Sequence, residues 1–204
     1  YIYCVGSRQE AGGNEYCSKF CCTATIHASL QVGGIDPSIR QYHLYRDIRA
    51  YGTNELLYNA SRDAGSTYLK FADGTQPDVA TLPTGGLGVT LVDVLTDSRE
   101  VTIPVDLVVL VTGMVPRENR GLVDVLKLPV GSDGFFNEIH PKLRPVETVV
   151  DGVMIAGCCQ SPRTVGESVA AGLAAVAQSA ALLKKGFAEL EPLPDMPHLH
   201  CSGH

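Results

Sequence analysis

The chain has 204 residues, of which 45% are hydrophobic and 19% charged, enough apolar content to bury a core and too little charge for a disordered segment. Sixteen basic residues against 22 acidic ones give a net charge of −6 with no Lys/Arg run, so the footprint of a nucleic-acid binder is missing. No run reaches the roughly 18 apolar residues of a membrane span, and no signal-peptide pattern is present.

The first residues, Tyr1–Val5, predict a short buried strand, and a chain that opens on Tyr inside such a run is expected to continue upstream. A Gly-rich connection with Gly6, Gly12 and Gly13 leads to a helix expected over 15–32, capped by Asn14 and stopped at Gly33-Gly34. Gln41–Arg46 alternates like a strand, and a second helix is expected over 53–64. Strand, Gly-rich turn, helix, strand, helix is the opening of a doubly wound parallel sheet. Short β-branched stretches at 67–71, 78–82, 88–95 and 100–103, separated by turn residues, predict a β-meander, and Val105–Thr112 a fully buried strand ending at Gly113. Beyond it come a short helix over 119–126, a turn at Ser132-Asp133-Gly134 and a strand at Phe135–Asn137. A linker with Pro141 and Pro145 follows, then a buried strand Gly152–Ala156 and a long Ala-rich helix Val165–Lys185 suited to packing on a sheet. The proline-containing tail is expected to be extended.

Seven cysteines, an odd number, do not make a secreted disulfide framework. Four of them, Cys4, Cys17, Cys21 and Cys22, follow the spacing C-x12-C-x3-C-C. On a helix, Cys17 and Cys21 share a face with Cys22 one step round, and Cys4 reaches them from the end of the first strand. In a doubly wound sheet that strand end and the helix N-terminus meet at the ligand crevice, where the helix dipole favours thiolates. Four convergent thiolates suit an iron-sulfur cluster or zinc, although zinc usually uses paired C-x2–4-C knuckles, which are lacking here. Cysteines buried as small hydrophobic residues are the bland alternative. Thiol-disulfide exchange at Cys21-Cys22 or Cys158-Cys159 is disfavoured because no C-x-x-C pair exists among them. Clustered thiols without an export signal place the chain in a reducing, cytoplasmic compartment.

The segments YIYCVGSR and EYCSKFCCTATI resemble the cluster motif of the A subunit of heterodisulfide reductases. So do LYRDIRAYG (44–52), VTGMVPR (111–117), DGFFNEIHPKLRPVET (133–148) and IAGCCQSPRTVGESV (155–169). The resemblance implies an α/β fold: residues 1–105 a Rossmann-like, nicotinamide-domain-like lobe with a β-meander, 106–186 the C-terminal segment of a split FAD-binding domain, and 187–204 a tail leading to a truncated ferredoxin-like motif at Cys201. It implies a [4Fe-4S] cluster on Cys4, Cys17, Cys21 and Cys22, standing where a dinucleotide-binding lobe carries its Gly-rich turn, and FAD in the full-length parent. Electrons would pass between flavin and cluster and on to other heterodisulfide-reductase-like subunits or iron-sulfur electron-transfer proteins, in some relatives by flavin-based electron bifurcation. The flavin-side candidates are Gly113, Gly157, Cys158, Thr164, Val165, Glu167 and His27, the last replacing a lysine expected in relatives. A G-x-G-x-x-G for the ADP moiety is missing, so this chain alone is expected to hold FAD weakly. A zinc-stabilised, non-catalytic assembly module is the rival reading.

Overall fold

The computed structural model describes residues 1–10 and 12–185, and the Cys201 motif lies outside the described residues. Strands β1 (Ile2–Val5), β2 (Tyr42–Tyr45), β3 (Thr67–Lys70) and β7 (Leu110–Thr112) form a parallel sheet in the order β3-β2-β1-β7. Helices α1 (Phe20–Ile35) and α2 (Glu55–Asp63) make the crossovers, the α/β architecture that the opening pattern predicts. Strands β4 (Asp78–Thr81), β5 (Leu87–Asp93) and β6 (Arg99–Val105) form a separate antiparallel meander. Short α3 (Arg120–Leu126) and long α4 (Val165–Lys185) complete the elements.

The two sheets meet in one core of Ile2, Leu44, Phe71, Val89, Leu91 and Ile103. On the other face of the parallel sheet Tyr3, Cys4, Cys21, Cys22 and Val111 form a second. Ile2 and Tyr3 separate to opposite faces as strand neighbours must. Cys4, at φ +62°, breaks that alternation and joins Tyr3.

Several expectations need correction. Helix α1 begins at Phe20, five residues late, because the preceding segment is tied into a loop: the Arg8 amide donates to the Tyr16 carbonyl and the Gln9 amide to the Asn14 carbonyl, 2.9 Å each. Asn14 gives its side-chain amide to the Gly6 carbonyl (3.1 Å) and caps nothing. Gly33-Gly34 does not stop α1; the helix runs on to Ile35 and stops at its cap Asp36, extended at φ −141° because Pro37 follows. β3 belongs to the parallel sheet, paired in register with β2 from Tyr42↔Thr67 to Tyr45↔Lys70, and not to the meander. The expected buried strand 105–112 is split between β6 and β7, with Leu107 and Leu110 exposed. Gly152–Ala156 and Phe135–Asn137 reduce to single bridges, Glu147↔Met154 and Val130↔Phe136, each pairing with a nearby loop in place of a sheet. Helix α4 does not pack on a sheet: Val165, Leu173, Val176 and Leu183 are exposed, and Ala171 is buried. By length and composition its Val165–Lys184 stretch is apolar enough to cross a membrane, with 6% of it buried.

Candidate functional site

The cysteines gather at the C-terminal end of β1 and the start of α1. Cys4, Cys21 and Cys22 are buried, and Cys17 is half-buried. Cys17 lies in the loop before α1, which corrects its expected place on the helix; the Lys19 amide donates to its Sγ at 3.3 Å. Cys17 and Cys22 lie close enough to Cys4, and Cys4, Cys17 and Cys22 close enough to Cys21, to raise those two thiols. Burial, then the neighbouring Cys22, raises the Cys4 thiol above its usual range, opposed by the positive charges of Arg8 and Arg46. Hydrogen bonding to Cys22, then burial, raises the Cys21 thiol, and the same bond lowers Cys22, helped by Arg49. Among the described residues no three His, Cys, Asp or Glu side chains converge on one point as ligands of a single metal ion do.

The loop carrying Cys17 is pinned by residues that belong to no motif in the sequence. Ser18, fully buried, accepts the Met114 amide at 2.7 Å, and the Tyr16 hydroxyl donates to the Met114 carbonyl at 3.0 Å. Tyr16 also meets the Phe135 ring edge-on at 5.4 Å. Gly113 follows β7 and makes this approach possible, since a Cβ there would lie 2.7 Å from Ser7 Cβ and 2.9 Å from Ser18 Oγ. Arg8 and Arg46 brace the other side. Arg46 donates to the Arg8 carbonyl at 2.6 Å, Arg8 pairs with Asp47 at 2.8 Å, and both arginines reach Asp73 at 3.6 and 3.4 Å. Sequence reasoning missed all four of these residues. Arg8 offered one signal, a positive charge four positions after Cys4; Arg46, Ser18 and Tyr16 offered none.

Of the flavin-side candidates, Thr164 and Glu167 form a reciprocal capping box. The Thr164 amide donates to Glu167 Oε2 at 2.8 Å, and the Glu167 amide to Thr164 Oγ1 at 3.3 Å. The Thr164 amide is also the chief cause that holds the Glu167 carboxyl below its usual range. Glu167 Oε1 accepts the Tyr51 hydroxyl (3.2 Å) and pairs with Lys19 (3.6 Å), so the N-terminus of α4 is tied to the cysteine loop. Lys19, Asp47, Ile48, Arg49, Tyr51 and Glu167 line an open crevice of about 600 Å³. Val165 is exposed beside this cap. Gly157 is buried at φ +76°, a conformation suited to glycine. Cys158 is exposed, its Sγ 3.7 Å from the Arg163 carbonyl. His27 lies on the exposed side of α1, away from the face that buries Cys22, Ile26 and Ser29. His140 accepts the Lys142 and Leu143 amides at 3.2 Å each and closes a local turn.

These features define a Rossmann-like α/β protein in which a group of thiols occupies the strand-to-helix junction that a dinucleotide-binding lobe uses for its Gly-rich turn. Over the stretch its relatives match, the chain is an A-subunit-like sequence of the heterodisulfide reductase family. It is 38% identical over 196 residues to an iron-sulfur A subunit (the one numbered 2) of the CoB–CoM heterodisulfide reductase of Methanopyrus kandleri, covering 95% of this chain and 29% of that protein. It is 41% identical over 179 residues to the A subunit of the ferredoxin:CoB-CoM heterodisulfide reductase of Methanosarcina acetivorans, covering 86% of this chain and 22% of that protein. The chain thus spans less than a third of the length of these curated relatives. Among solved structures, LpdA of Mycobacterium tuberculosis superposes with a TM-score of 0.45 at 16% identity, over 82% of this chain and 34% of that one. No protein-family model matches the chain.

Proposed function

We propose that this chain is an electron-transfer segment of a cytoplasmic heterodisulfide-reductase-like oxidoreductase, with Cys4, Cys17, Cys21 and Cys22 as the ligands of a [4Fe-4S] cluster. The observation that carries the reading is the gathering of these thiols where β1 ends and α1 begins, three buried and one half-buried. The donor set fits: cluster irons are held by cysteine thiolates, and the cluster needs no common point for all four sulfurs because each thiolate binds a different iron. When bound, the cluster supplies one-electron chemistry at low potential. The chain's own part is to exclude water with Tyr3 and Val111, to offset negative charge with Arg8 and Arg46, and to fix Cys17 through Ser18 and Tyr16.

In this reading residues 1–105 form the nicotinamide-domain-like lobe and 106–186 the C-terminal part of an FAD domain. The N-terminus of α4 then faces the flavin, with Gly113, Gly157, Cys158, Thr164, Val165, Glu167 and His27 on its side. The Lys19–Glu167–Tyr51 contact gives that reading a physical basis, because it joins the cysteine loop to α4. Other subunits or iron-sulfur proteins receive the electrons, and bifurcation is the mode of some relatives.

The test is iron, acid-labile sulfide and zinc content of anaerobically purified chain, with an electron paramagnetic resonance spectrum after dithionite. About four iron and four sulfide per chain, lost in Cys17→Ser and Cys21→Ser, is the expected result for a [4Fe-4S] centre. One zinc per chain without iron after anaerobic reconstitution would overturn it in favour of the assembly module.

A further inference from the structure

A second crevice, apart from the one beside the cysteine loop, lies along α2 and β3, the outer strand of the parallel sheet. Its volume is about 870 Å³, and its walls include Tyr45, Tyr58 and Tyr68 together with Asn59, Arg62 and Asp63. The α2 residues follow the order Y-N-x-x-R-D over 58–63. A spacing of four sets Arg62 one turn from Tyr58 and Asp63 one turn from Asn59, so all four serve one side of the helix.

The rings are held in place by the fold. Tyr68 stacks on the buried His43 ring at 4.4 Å and 8°, and its hydroxyl donates to the buried Ser61 Oγ at 2.9 Å. Tyr58 meets Tyr68 edge-on at 4.8 Å and 76°, and Tyr45 meets it at 6.1 Å and 71°. The polar groups around them are not used in this way. Among the described residues the Tyr45 and Tyr58 hydroxyls have no hydrogen-bond partner, and Arg62 has no ion pair. The Arg62 guanidinium rests over the Tyr58 ring at 5.7 Å, with its forked donors open to a ligand.

Each feature selects a property of that ligand. Half-buried tyrosine rings select a flat ring. Arg62 selects an oxyanion, whose geometry its planar fork matches. The amide of Asn59 and the carboxylate of Asp63 select donors and acceptors on the ring edge, which a simple aromatic acid lacks. We propose that this crevice binds a purine nucleoside monophosphate, with its base against the tyrosines, the base edge at Asn59 and Asp63, and the phosphate on Arg62. The volume is ample, since pockets for small ligands run to about 300–1,000 Å³. The lining holds no cysteine or histidine, so the nucleotide is bound and not transformed. The proposal does not depend on what the cysteines hold.

The experiment is isothermal titration of the full chain with AMP and GMP, with their nucleosides and with inorganic phosphate. One of the nucleotides should saturate the chain with a Kd below about 1 mM, and its nucleoside and phosphate should each bind roughly tenfold more weakly or worse. Arg62→Gln should weaken the nucleotide by about tenfold to a hundredfold and leave the nucleoside unchanged, because only the charge-assisted bonds are lost. Tyr58→Leu should weaken nucleotide and nucleoside alike, by about fivefold to a hundredfold. Arg40→Gln, at an exposed arginine outside the crevice, is the control and should change nothing. Circular dichroism checks the fold of each variant, and Arg62, being exposed, keeps the test open if Tyr58→Leu fails to fold. No saturable binding of either nucleotide would overturn the site. So would phosphate binding as tightly as the nucleotide, or equal nucleotide affinity in Arg62→Gln and Arg40→Gln.

Discussion

Gly113→Ala should destabilise the chain and, on the cluster reading proposed above, lower its iron content as well. A Cβ at this position would sit 2.7 Å from Ser7 Cβ, 2.9 Å from Ser18 Oγ and 3.2 Å from the Gly6 carbonyl oxygen. Two of these atoms belong to or adjoin the backbone of the loop that follows Cys4, and the third is the group that holds Met114. None can swing away as the end of a long side chain does. Overpacking of this kind costs about 1–3 kcal/mol. With a urea m-value of about 2 kcal/mol/M, the unfolding midpoint should fall by roughly 0.5–1.5 M. Ser18 adjoins Cys17, so reconstituted iron per chain should fall as well. The control is Gly34→Ala inside α1, where nothing lies within 4 Å; there the gain in helix propensity should raise stability by about 0.5–1 kcal/mol. A midpoint for Gly113→Ala equal to that of the parent, with full iron content, would refute the account of how the cysteine loop is seated.

Thr164→Ala removes one half of the capping box at α4 and should cost about 1 kcal/mol, read by urea unfolding monitored by circular dichroism. The Glu167 carboxyl is held below its usual value of 4.5, so its contribution is complete above that pH and is lost as pH falls below it; Glu167→Gln should flatten this part of the stability profile. Burial lowers His43 from 6.5 to about 3. The unfolded chain therefore takes up a proton below pH 6.5 that the fold refuses, and stability should drop between pH 6.5 and 3 by on the order of 4 kcal/mol. His43→Phe should remove that acid-linked loss in a urea series across pH. Asp93, buried, accepts the Lys70 and Leu95 amides at 3.0 and 3.3 Å. Asp93→Ala leaves both unpaired and should cost about 1–3 kcal/mol, measured by thermal unfolding.

The opening of the fold was readable because its signals are local: the apolar run to Cys4, the glycines after it, the alternation of 41–46. β3 was misplaced because Thr67–Lys70 alternates like the meander strands beside it, and only its pairing with β2 distinguishes them. The segment before Phe20 has helical spacing, yet bonds from Tyr16 and Ser18 to Met114, nearly a hundred residues away, hold it out of the helix. Spacing alone brought out the cysteine group. It could not show that Cys17 leaves the helix, nor that Lys19 reaches Glu167. The long helix Val165–Lys185 was legible from its Ala-rich run, and the bonds of Glu167 to Tyr51 and Lys19 were not.

The pinning of Cys17 to Met114 also sets an order of events in the making of the protein. The two bonds span 96 and 98 positions, so the loop cannot take its final shape until β7 has been synthesised and laid beside β1. Contacts of such separation form late, after the entropy of closing a long loop has been overcome. A ribosome-bound chain would expose Cys4, Cys21 and Cys22 well before it could fix their fourth companion. On the cluster reading proposed above, iron delivered during translation would meet an incomplete set of ligands, so the centre would be assembled after the closure of the sheet.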